Sequence, residues 1–281
     1  MKNYNNYQKV YQKITEAEAI VIGAGSGLSA AAGLTYSGER FKKYFRDYID
    51  HYHLTDMYSA GFYPFDSLET YWGYWSKHVF HNRYQPEALP LYKELLSLVE
   101  EKNYFVITTN VDHQFQKTGF DKRRLFYTQG DYGLFQCSRA CHNKTYENES
   151  LIMQMVHQQS QFKIPKHLIP YCPKCGQPMR VNLRIDQFFV QDDGWESVAN
   201  RYKEFLENYL GTKIVFWEIG IGNNTPSIIK YPFQEMTRAT NQSTYIVCNQ
   251  QAQRIPDELM DKTIILQGNI VEAIREIDHF R

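Results

Sequence analysis

The 281-residue chain lacks an excess of charge of either sign and has no long apolar run. Its 31 basic and 31 acidic residues give a formal net charge of +0. A protein that follows a nucleic-acid backbone is expected to carry a basic stripe, so we predict no nucleic-acid partner. A membrane span needs roughly 20 apolar residues, and a signal peptide has an apolar stretch where this amino terminus is polar. We therefore expect a cytoplasmic protein with no membrane partner.

Cysteine is also scarce, and its five residues make a poor disulfide framework for a chain of this size. Four of them fall into two close pairs that resemble zinc knuckles, in which each tight turn carries two thiolates. Four thiolates form a closed tetrahedral zinc site that stabilises a fold and leaves no position open for chemistry. His142 is an alternative ligand, and Cys248, in a predicted strand, is interpreted as a small core residue. The predicted zinc ligands are Cys137, Cys141, Cys172 and Cys175.

Short apolar runs that end in glycine or polar residues recur along the chain, as buried parallel strands do. The first is AIVIG at residues 19–23. Segments with helical spacing separate these runs, for example WESVANRYKEFLENYL at 195–210. The alternation predicts an α/β fold with a Rossmann-like, doubly wound parallel sheet, in which ligands bind beyond the carboxyl ends of the strands. The other predicted strands span 104–108, 213–220, 244–248 and 263–266.

Two stretches interrupt the alternation and are predicted to form a smaller module. Residues 41–85 are crowded with Tyr, Phe, Trp and His. They are predicted to be a helical insertion that covers the crevice or packs on the sheet, although ordinary core and surface aromatics would give the same composition. Residues 132–183 contain the cysteine pairs and are predicted to be a zinc-ribbon insertion. The Rossmann-like domain then comprises 1–40, 86–131 and 184–281.

A glycine-rich turn, VIGAGSGLSAAAG at 21–33, follows the first predicted strand. Its early glycines allow a tight turn, and a helix beginning near Leu28 presents free amide groups, so a pyrophosphate would fit there. Many strand-to-helix turns need glycine for packing alone, and the pattern by itself leaves nucleotide binding open. No acidic residue ends the next strand about 20 residues later, which argues against hydride transfer.

A polar cluster, TNVDH at 109–113, follows the predicted strand at 104–108. Asn110 and Asp112 are two positions apart beyond the strand, so both can face the crevice, where they would orient a ribose hydroxyl and a carboxamide. Either residue alone is commonly a turn former or a helix cap. Together with the glycine turn, they indicate a nucleotide site.

These motifs resemble the sirtuin family, in the same order and over nearly the whole chain. Residues 25–29 are similar to the family's Gly-Ala-Gly-x-Ser turn, and 109–112 to its Gln-Asn-Ile-Asp. The two cysteine pairs are similar to its zinc ribbon. Residues 220–225 are similar to its Gly-Thr-Ser loop, and 248–249 to its Ile-Asn ribose contact.

The resemblance implies NAD as co-substrate and a structural zinc ion. It implies that Asn110 orients the nicotinamide ribose, that Asp112 contacts the nicotinamide carboxamide and favours its departure, and that Gln129 hydrogen-bonds the ribose hydroxyls. Arg40 is the candidate for an arginine that follows the glycine turn in the family. The implied NAD contacts are Gly25, Ser26, Gly27, Ser29, Arg40, Asn110, Asp112, Gln129, Gly220, Gly222, Asn223 and Asn249.

Gln129 is the main departure, because the family has a histidine there that accepts a proton during deacylation. A carboxamide does not titrate near neutral pH, and losing a general base typically removes a factor of about 10² to 10⁴. The family's Phe-Gly-Glu strand, which pairs with an acyl-lysine peptide, is also replaced, around 184–188. These changes resemble the microbial class M, or macrodomain-linked, sirtuins. That branch is similar to protein ADP-ribosyltransferases that modify a lipoyl-carrier protein and occur beside a macrodomain hydrolase.

We therefore predict an enzyme that transfers ADP-ribose from NAD to a protein acceptor, a lipoylated glycine-cleavage H-like carrier, with a macrodomain hydrolase as a second partner. The predicted catalytic residues are Asn110, Asp112 and Gln129, and transfer requires no histidine base. One alternative is an NAD-dependent protein deacylase, which needs another base, for which His113 is the nearby candidate. The other is a non-catalytic NAD-binding scaffold, for which groups aimed at the departing nicotinamide have no evident use.

Overall fold

The computed structural model describes residues 2–222 and 226–281. Strands and helices alternate, and the strands form two sheets, one large and one small. The strands are β1 (Ala19–Ala24), β2 (Tyr104–Thr108), β3 (Leu125–Tyr127), β4 (Gly130–Cys137), β5 (Tyr146–Glu147), β6 (Met179–Leu183), β7 (Ile214–Ile219), β8 (Thr244–Asn249) and β9 (Thr263–Gln267). The α-helices are α1 (Lys2–Glu16), α2 (Ser26–Ala31), α3 (Glu39–Tyr52), α4 (Met57–Ala60), α5 (Leu68–Val79), α6 (Pro90–Ser97), α7 (Gln114–Lys117), α8 (Glu149–Gln158), α9 (Asp193–Tyr209), α10 (Lys230–Ala239) and α11 (Ile270–Asp278).

The large sheet has six parallel strands in the order β3-β2-β1-β7-β8-β9, which confirms the predicted Rossmann-like sheet. The chain begins the sheet at β1, extends it on one side through β2 and β3, and continues it on the other side of β1 from β7. This reversal places three strand ends side by side, with Ala24 paired to both Thr108 and Ile219. The crevice at such a reversal is where α/β sheets bind ligands.

Helices cover both faces of the large sheet, which explains why its central strands are apolar throughout. All six residues of β1 are buried. Ile20 and Ile22 pack in one cluster with residues of α1, α6 and α11, while Val21 packs on the opposite face with residues of α9 and α10. Each fully buried aliphatic side chain contributes about 1.5–3 kcal/mol, so these layers hold the strand ends firmly around the crevice.

The small sheet is antiparallel, in the order β5-β4-β6, and its core is continuous with that of the aromatic-rich helices. Phe45 of α3 and Trp72 of α5 are fully buried and cluster with Phe135 of β4 and Met155 of α8. The rings of Trp72 and Phe135 are 4.9 Å apart. The two insertions therefore share one hydrophobic core. The domain boundaries at 41–85 and 132–183 stay a prediction.

Several elements differ from the sequence prediction. Helix α2 begins at Ser26, two residues before Leu28, so Gly27 and Ser29 lie inside it. Helix α1 and strands β3, β4, β5 and β6 were not predicted. Strand β4 is interrupted by glycine, and it pairs with β6, which lies beyond the cysteine-containing loops. In the described part of the chain, no helix combines the length and apolarity that crossing a membrane requires.

Candidate active site

A cavity of about 680 Å³ lies beyond the carboxyl ends of β1 and β2, between the large sheet and the two insertions. Its volume is in the range of pockets that bind small molecules and cofactors. A smaller cavity of about 370 Å³, at the amino-terminal edge of the sheet, contains none of the predicted site residues. The sheet side of the larger cavity includes Ser26, Gly27, Ser29, Asn110, Asp112 and Gln129. Its other walls include Tyr36, Met57, Tyr58, Phe62, Trp75, His78, Tyr132, Arg184 and Ile185.

Asn110 is buried just beyond the end of β2 and is fixed mainly by two hydrogen bonds, with a longer contact of 3.5 Å from its Nδ2 to the hydroxyl of Tyr92. Its Nδ2 donates to the carbonyl oxygen of Gly25 at 3.0 Å, and its backbone N–H donates to Oγ1 of Thr108, also at 3.0 Å. These contacts tie the loop after β2 to the turn after β1. In the described part of the chain no group donates to Oδ1 of Asn110. The oxygen is therefore free to accept a hydrogen bond from a ligand such as a ribose hydroxyl.

Asp112 is buried in the same loop, with both carboxylate oxygens oriented by donors. Oδ2 accepts a hydrogen bond from Oγ of Ser29 at 2.5 Å, and Oδ1 accepts one from the backbone N–H of Gln114 at 3.0 Å. Burial raises the pKa of Asp112, and the hydrogen bonds from Ser29 and Gln114 oppose that rise. A carboxylate held in this way presents a fixed, poorly hydrated negative charge to the cavity, where it would attract positive charge on a ligand.

Gln129 lies between β3 and β4, where its backbone carbonyl accepts a hydrogen bond from the N–H of Arg184 at 3.1 Å. The next residue, Gly130, has a φ of 93°, and a Cβ there would lie 2.0 Å from the carbonyl oxygen of Asn182. Glycine is therefore required at this position. The carboxamide of Gln129 lines the cavity and makes no hydrogen bond to the residues described. It can donate or accept a hydrogen bond there but cannot take a proton.

The glycines of the first turn are required because two backbone segments touch. The N–H of Gly27 donates to the carbonyl oxygen of Gly220 at 2.9 Å. A Cβ on Gly27 would lie 2.7 Å from Cα of Gly220, and a Cβ on Gly25 would lie 2.7 Å from the oxygen of Gly220. Packing between the turns after β1 and β7 thus accounts for these glycines. Their contact with a pyrophosphate stays a prediction.

Gly220, Gly222 and Asn249, the described contacts predicted near β7 and β8, are not among the residues that line the cavity. Gly222 is exposed, and no heavy atom of the described residues lies within 4 Å of a Cβ added to it. Asn249, at the end of β8, donates from Nδ2 to the carbonyl oxygen of Ile221 at 2.8 Å. Asn223 lies outside the described residues. Contact of these residues with the adenosine part of NAD stays a prediction.

Arg40 is in α3, and its guanidinium group is engaged by the protein itself. It donates to Oδ1 of Asn82 at 2.8 Å and to the carbonyl oxygen of His81 at 2.6 Å. These contacts bind α3 to the segment after α5. Arg40 is not among the described residues that line the cavity, whereas Arg184 is. Arg184 is thus the cavity's arginine, and NAD contact by Arg40 stays a prediction.

A charged cluster of one buried and two partly buried side chains includes residues next in the chain to the cavity residues Asp112 and Tyr132. Nε of Arg83 donates to Oδ1 of Asp131 at 2.8 Å, and Nδ1 of His113 lies 2.5 Å from Oδ2. Burial alone would raise the pKa of Asp131, but the hydrogen bond from His113 and the charge of Arg83 outweigh it and lower that pKa. His113, the candidate base for deacylation, is therefore paired with Asp131, and it is not among the described residues that line the cavity.

Sequence reasoning missed three cavity residues that are hydrogen-bonded to one another. The hydroxyls of Tyr36 and Tyr132 are 2.6 Å apart, and the Tyr132 hydroxyl is 2.9 Å from Nε2 of His78. Residues 41–85 are rich in aromatic residues and histidine, but this composition does not distinguish His78 from its neighbours. The contact brings together residues from distant parts of the chain, so no local pattern could have revealed it.

The four cysteines meet at the end of the small sheet, and their Sγ atoms all lie within 4.8 Å of one another. Those of Cys137 and Cys175 are 3.5 Å apart, and those of Cys141 and Cys172 are 3.6 Å apart. Sulfurs bound to one tetrahedral zinc ion at about 2.3 Å would be about 3.8 Å apart, so the cluster fits structural zinc. The predicted ligand set is confirmed as a cluster.

His142 lies beside this cluster but is not needed to complete it. Its Nδ1 is 3.1 Å from Sγ of Cys141, and its Nε2 is 2.8 Å from the hydroxyl of Tyr146. Because four thiolates already fill a tetrahedral site, this arrangement gives His142 a supporting position next to a ligand.

Comparison with known proteins identifies the relatives of the chain. No protein-family model matches it. It is 43% identical over 262 residues to a protein ADP-ribosyltransferase of Staphylococcus aureus (strain Mu50 / ATCC 700699), a match that covers 93% of this chain and 83% of that protein. It is 31% identical over 233 residues to a probable bifunctional ADP-ribose hydrolase/ADP-ribosyltransferase of Fusarium oxysporum f. sp. cubense, covering 79% of this chain and 38% of that protein.

Solved structures share the fold at low sequence identity. Sir2Tm bound to a propionylated peptide has a TM-score of 0.62 at 16% identity, covering 100% of this chain and 98% of that chain. A Sir2 homolog in complex with NAD also has a TM-score of 0.62, at 18% identity, covering 96% of this chain and 92% of that one. The predicted resemblance to sirtuins is thereby confirmed. Together with the 43% identical relative, it shows that the chain belongs to the protein ADP-ribosyltransferase family and has the sirtuin fold.

Proposed function

We propose that the protein transfers ADP-ribose from NAD to a carrier-protein acceptor in this cavity and releases nicotinamide. The observation that carries the proposal is the meeting of Asn110, Asp112 and Gln129 at one cavity, where the strand order reverses. NAD supplies the reactive centre, the ribose carbon bonded to nicotinamide. The name of the related Staphylococcus aureus protein supports this activity, and the Sir2 homolog bound to NAD supports the co-substrate.

The three residues would divide the work by position and charge. The free Oδ1 of Asn110 would accept a hydrogen bond from a ribose hydroxyl. The buried carboxylate of Asp112 would contact the nicotinamide carboxamide and stabilise positive charge that develops on the sugar. The carboxamide of Gln129 would hydrogen-bond the ribose hydroxyls without taking a proton. Fixed groups of this kind catalyse by orientation and by electrostatic stabilisation of the transition state.

The proposed acceptor is a lipoylated glycine-cleavage H-like carrier, and the mouth of the cavity supports it. Three apolar side chains of the cavity wall are more than half exposed: Tyr58 at 58%, Phe62 at 57% and Ile185 at 51%. Exposed apolar groups beside a cavity favour an apolar ligand group there. A lipoyl arm, with its long methylene chain and dithiolane ring, has that character and would reach the cavity from a carrier surface.

A protein deacylase is the second candidate that the sequence left open, and no contact among the described residues favours it. Gln129 stands where deacylation needs a base, and it cannot accept a proton. His113 is paired with Asp131 instead of being directed into the cavity. The transferase is therefore the better account of this site.

We also propose a macrodomain hydrolase as a second partner and the cytoplasm as the location. The name of the Fusarium relative couples an ADP-ribose hydrolase to the transferase, which supports a hydrolase that reverses the modification. All five cysteines are free thiols, four of them in a metal-type cluster, as expected in a reducing compartment.

The acceptor is tested by intact mass spectrometry of the carrier in lipoylated, octanoylated and unmodified forms after incubation with NAD. We expect an added ADP-ribose unit on the lipoylated form only. Phe62→Ser should lower kcat/KM for the carrier about tenfold, whereas Tyr231→Ser, a similarly exposed aromatic that is not among the described cavity-lining residues, should not change it. Equal modification of all three forms would contradict the lipoyl requirement, and loss of acyl mass would indicate a deacylase.

A further inference from the structure

Five groups form a continuous hydrogen-bonded chain that starts at the cavity wall. It runs from the hydroxyl of Tyr36 to that of Tyr132 (2.6 Å), to Nε2 of His78 (2.9 Å), then from Nδ1 to the hydroxyl of Tyr74 (3.1 Å) and on to the carbonyl oxygen of Met57 (3.0 Å). Tyr74, His78 and Tyr132 are almost completely buried. The predicted NAD-binding residues do not account for this chain.

The far end of the chain fixes the direction of every bond in it. The carbonyl oxygen of Met57 can only accept a hydrogen bond, so the hydroxyl of Tyr74 donates its single proton to it. The Tyr74 oxygen must then accept a hydrogen bond from Nδ1 of His78. Nε2 of His78 then carries no proton and accepts from Tyr132. Tyr132 has no second proton, so it accepts from Tyr36. The network thus assigns the Nδ1-protonated tautomer to His78.

The cavity end of the chain is consequently a hydrogen-bond acceptor. Tyr36 lines the cavity and donates its proton to Tyr132. Among the described residues of the protein, no other group forms a hydrogen bond with its oxygen. Each group that donates becomes a better acceptor, so four donations in one direction increase the negative character of the Tyr36 oxygen.

The charges of the chain are consistent with this direction. Burial lowers the pKa of His78 to about 3, so its imidazole is neutral at neutral pH and retains a lone pair for Tyr132. Burial, together with the nearby carboxylate of Asp112, raises the pKa of Tyr36, so its hydroxyl keeps the proton that it donates. Tyr36 and Asp112 also line the same cavity, where the proposed reaction takes place.

We propose that Tyr36 is a further catalytic residue, whose oxygen is held by Tyr132 and His78 so as to stabilise the positive charge that develops on the ribose during ADP-ribosyl transfer. This inference depends on the proposed function. In that step the bond between the ribose carbon and nicotinamide breaks, its electron pair leaves with nicotinamide, the acceptor's lone pair forms the new bond, and any proton on the attacking atom passes to water. An oriented dipole that is already in place stabilises the cationic sugar without reorganisation. Tyr132 and His78 are positioning residues.

The first test needs no co-substrate. Nitrogen-15 NMR of the imidazole rings, with His78 assigned by its absence in His78→Gln, should show Nδ1 protonated and Nε2 unprotonated. Tyr132→Phe should shift the Nε2 resonance, because its donor is removed. Protonation at Nε2 in the wild-type protein would reverse the direction of the chain and overturn the proposal.

The second test measures nicotinamide release in the presence of the carrier. Tyr36→Phe and Tyr132→Phe should each lower kcat roughly 10- to 100-fold and leave KM for NAD within about twofold. Because both changes interrupt one chain, the double variant should be no slower than the slower single variant. Tyr104→Phe is the matched control: Tyr104 is buried at the opposite edge of the sheet, where its hydroxyl accepts from the N–H of Asp121, and kcat should not change.

The outcomes separate the inference from the proposed function. If the wild-type protein releases nicotinamide and Tyr36→Phe retains full kcat, the chain has no catalytic role. Multiplying losses in the double variant would also contradict it. If the wild-type protein releases no nicotinamide, the proposed function fails and this inference fails with it. Should Tyr132→Phe fail to fold because Nε2 of His78 loses its donor, Tyr36→Phe, at the cavity wall, decides the question.

Discussion

The hydroxyl of Ser29 donates a hydrogen bond to the carboxylate of Asp112, with 2.5 Å between Oγ and Oδ2. This contact joins the helix after β1 to the loop after β2 at the wall of the cavity. The hydroxyl of Tyr92 lies 2.9 Å from the same Oγ, so Ser29 is held on both sides. Because the hydrogen bond favours the ionised carboxylate, it helps Asp112 keep its charge despite burial.

Ser29→Ala should move the acid limb of the pH profile to higher pH. Burial raises the pKa of Asp112, so nicotinamide release should decline, as pH falls, at a pH above that of an ordinary carboxyl group. Without the Ser29 hydroxyl that pKa rises further, so the decline begins at still higher pH. The measurement is kcat/KM for NAD against pH. Tyr92→Phe keeps the Ser29–Asp112 contact and should leave the inflection in place; an unchanged inflection in Ser29→Ala would contradict this role of Asp112.

Gly27→Ala should destabilise the fold by about 1–3 kcal/mol, because the added Cβ would lie 2.7 Å from Cα of Gly220. The free energy of unfolding in denaturant measures the effect. Gly211→Ala is the control, since no heavy atom of the described residues lies within 4 Å of its added Cβ, and it should change stability little. Equal stability of the two variants would show that the backbones can separate without cost.

Asp131→Asn should remove stability that depends on pH. The folded pKa of Asp131 is lowered, so its charge stabilises the fold above about pH 4, and this contribution is lost as pH falls through the lowered pKa. We expect a loss of about 3–5 kcal/mol at pH 7, because Arg83 stays buried without its partner, and a flatter dependence on pH below 4.

Asp50→Asn is the control for Asp131, because Asp50 forms an exposed pair with Arg46. Its loss should cost at most about 0.5 kcal/mol. Urea unfolding at several pH values compares the two variants. If the free energy of unfolding changes with pH in the same way for Asp131→Asn and the wild type, Asp131 is not the source of the pH-dependent stability.

Cys175→Ala should abolish zinc binding and yield a destabilised or aggregating protein, because structural zinc contributes folding free energy. Metal analysis and thermal unfolding measure the two effects. Cys248→Ala, which removes the cysteine of β8 outside the cluster, should retain zinc. Normal folding of the zinc-free protein would refute the structural role of the site.

The parts of this site that follow from local rules could be predicted from the sequence. Asn110 and Asp112 come directly after an apolar strand, and parallel strands bring such residues to one edge of the sheet. The spacing of the cysteine pairs predicted the four-cysteine cluster, because each tight turn places two thiolates together. In each case the pattern lies within a few residues of one element.

The parts that depend on contact between distant segments could not be predicted. Tyr36 lies in the loop between α2 and α3, His78 lies in α5, and Tyr132 lies in β4, so these residues meet only through packing around the shared core of the insertions. The close approach of Gly27 to Gly220 likewise depends on β1 and β7 being neighbours in the sheet. The periodicity of apolar residues predicts which side chains are buried. It does not predict which distant residue each of them contacts.

The most direct test of the account is intact mass spectrometry of the lipoylated carrier after incubation with NAD and the protein, with Asn110→Ala in parallel. We predict that the wild-type protein adds one or more ADP-ribose units, and that Asn110→Ala, which folds with bound zinc, adds none. A carrier that gains no ADP-ribose from the wild-type protein, or gains it equally from Asn110→Ala, would contradict the assignment of transfer to this cavity.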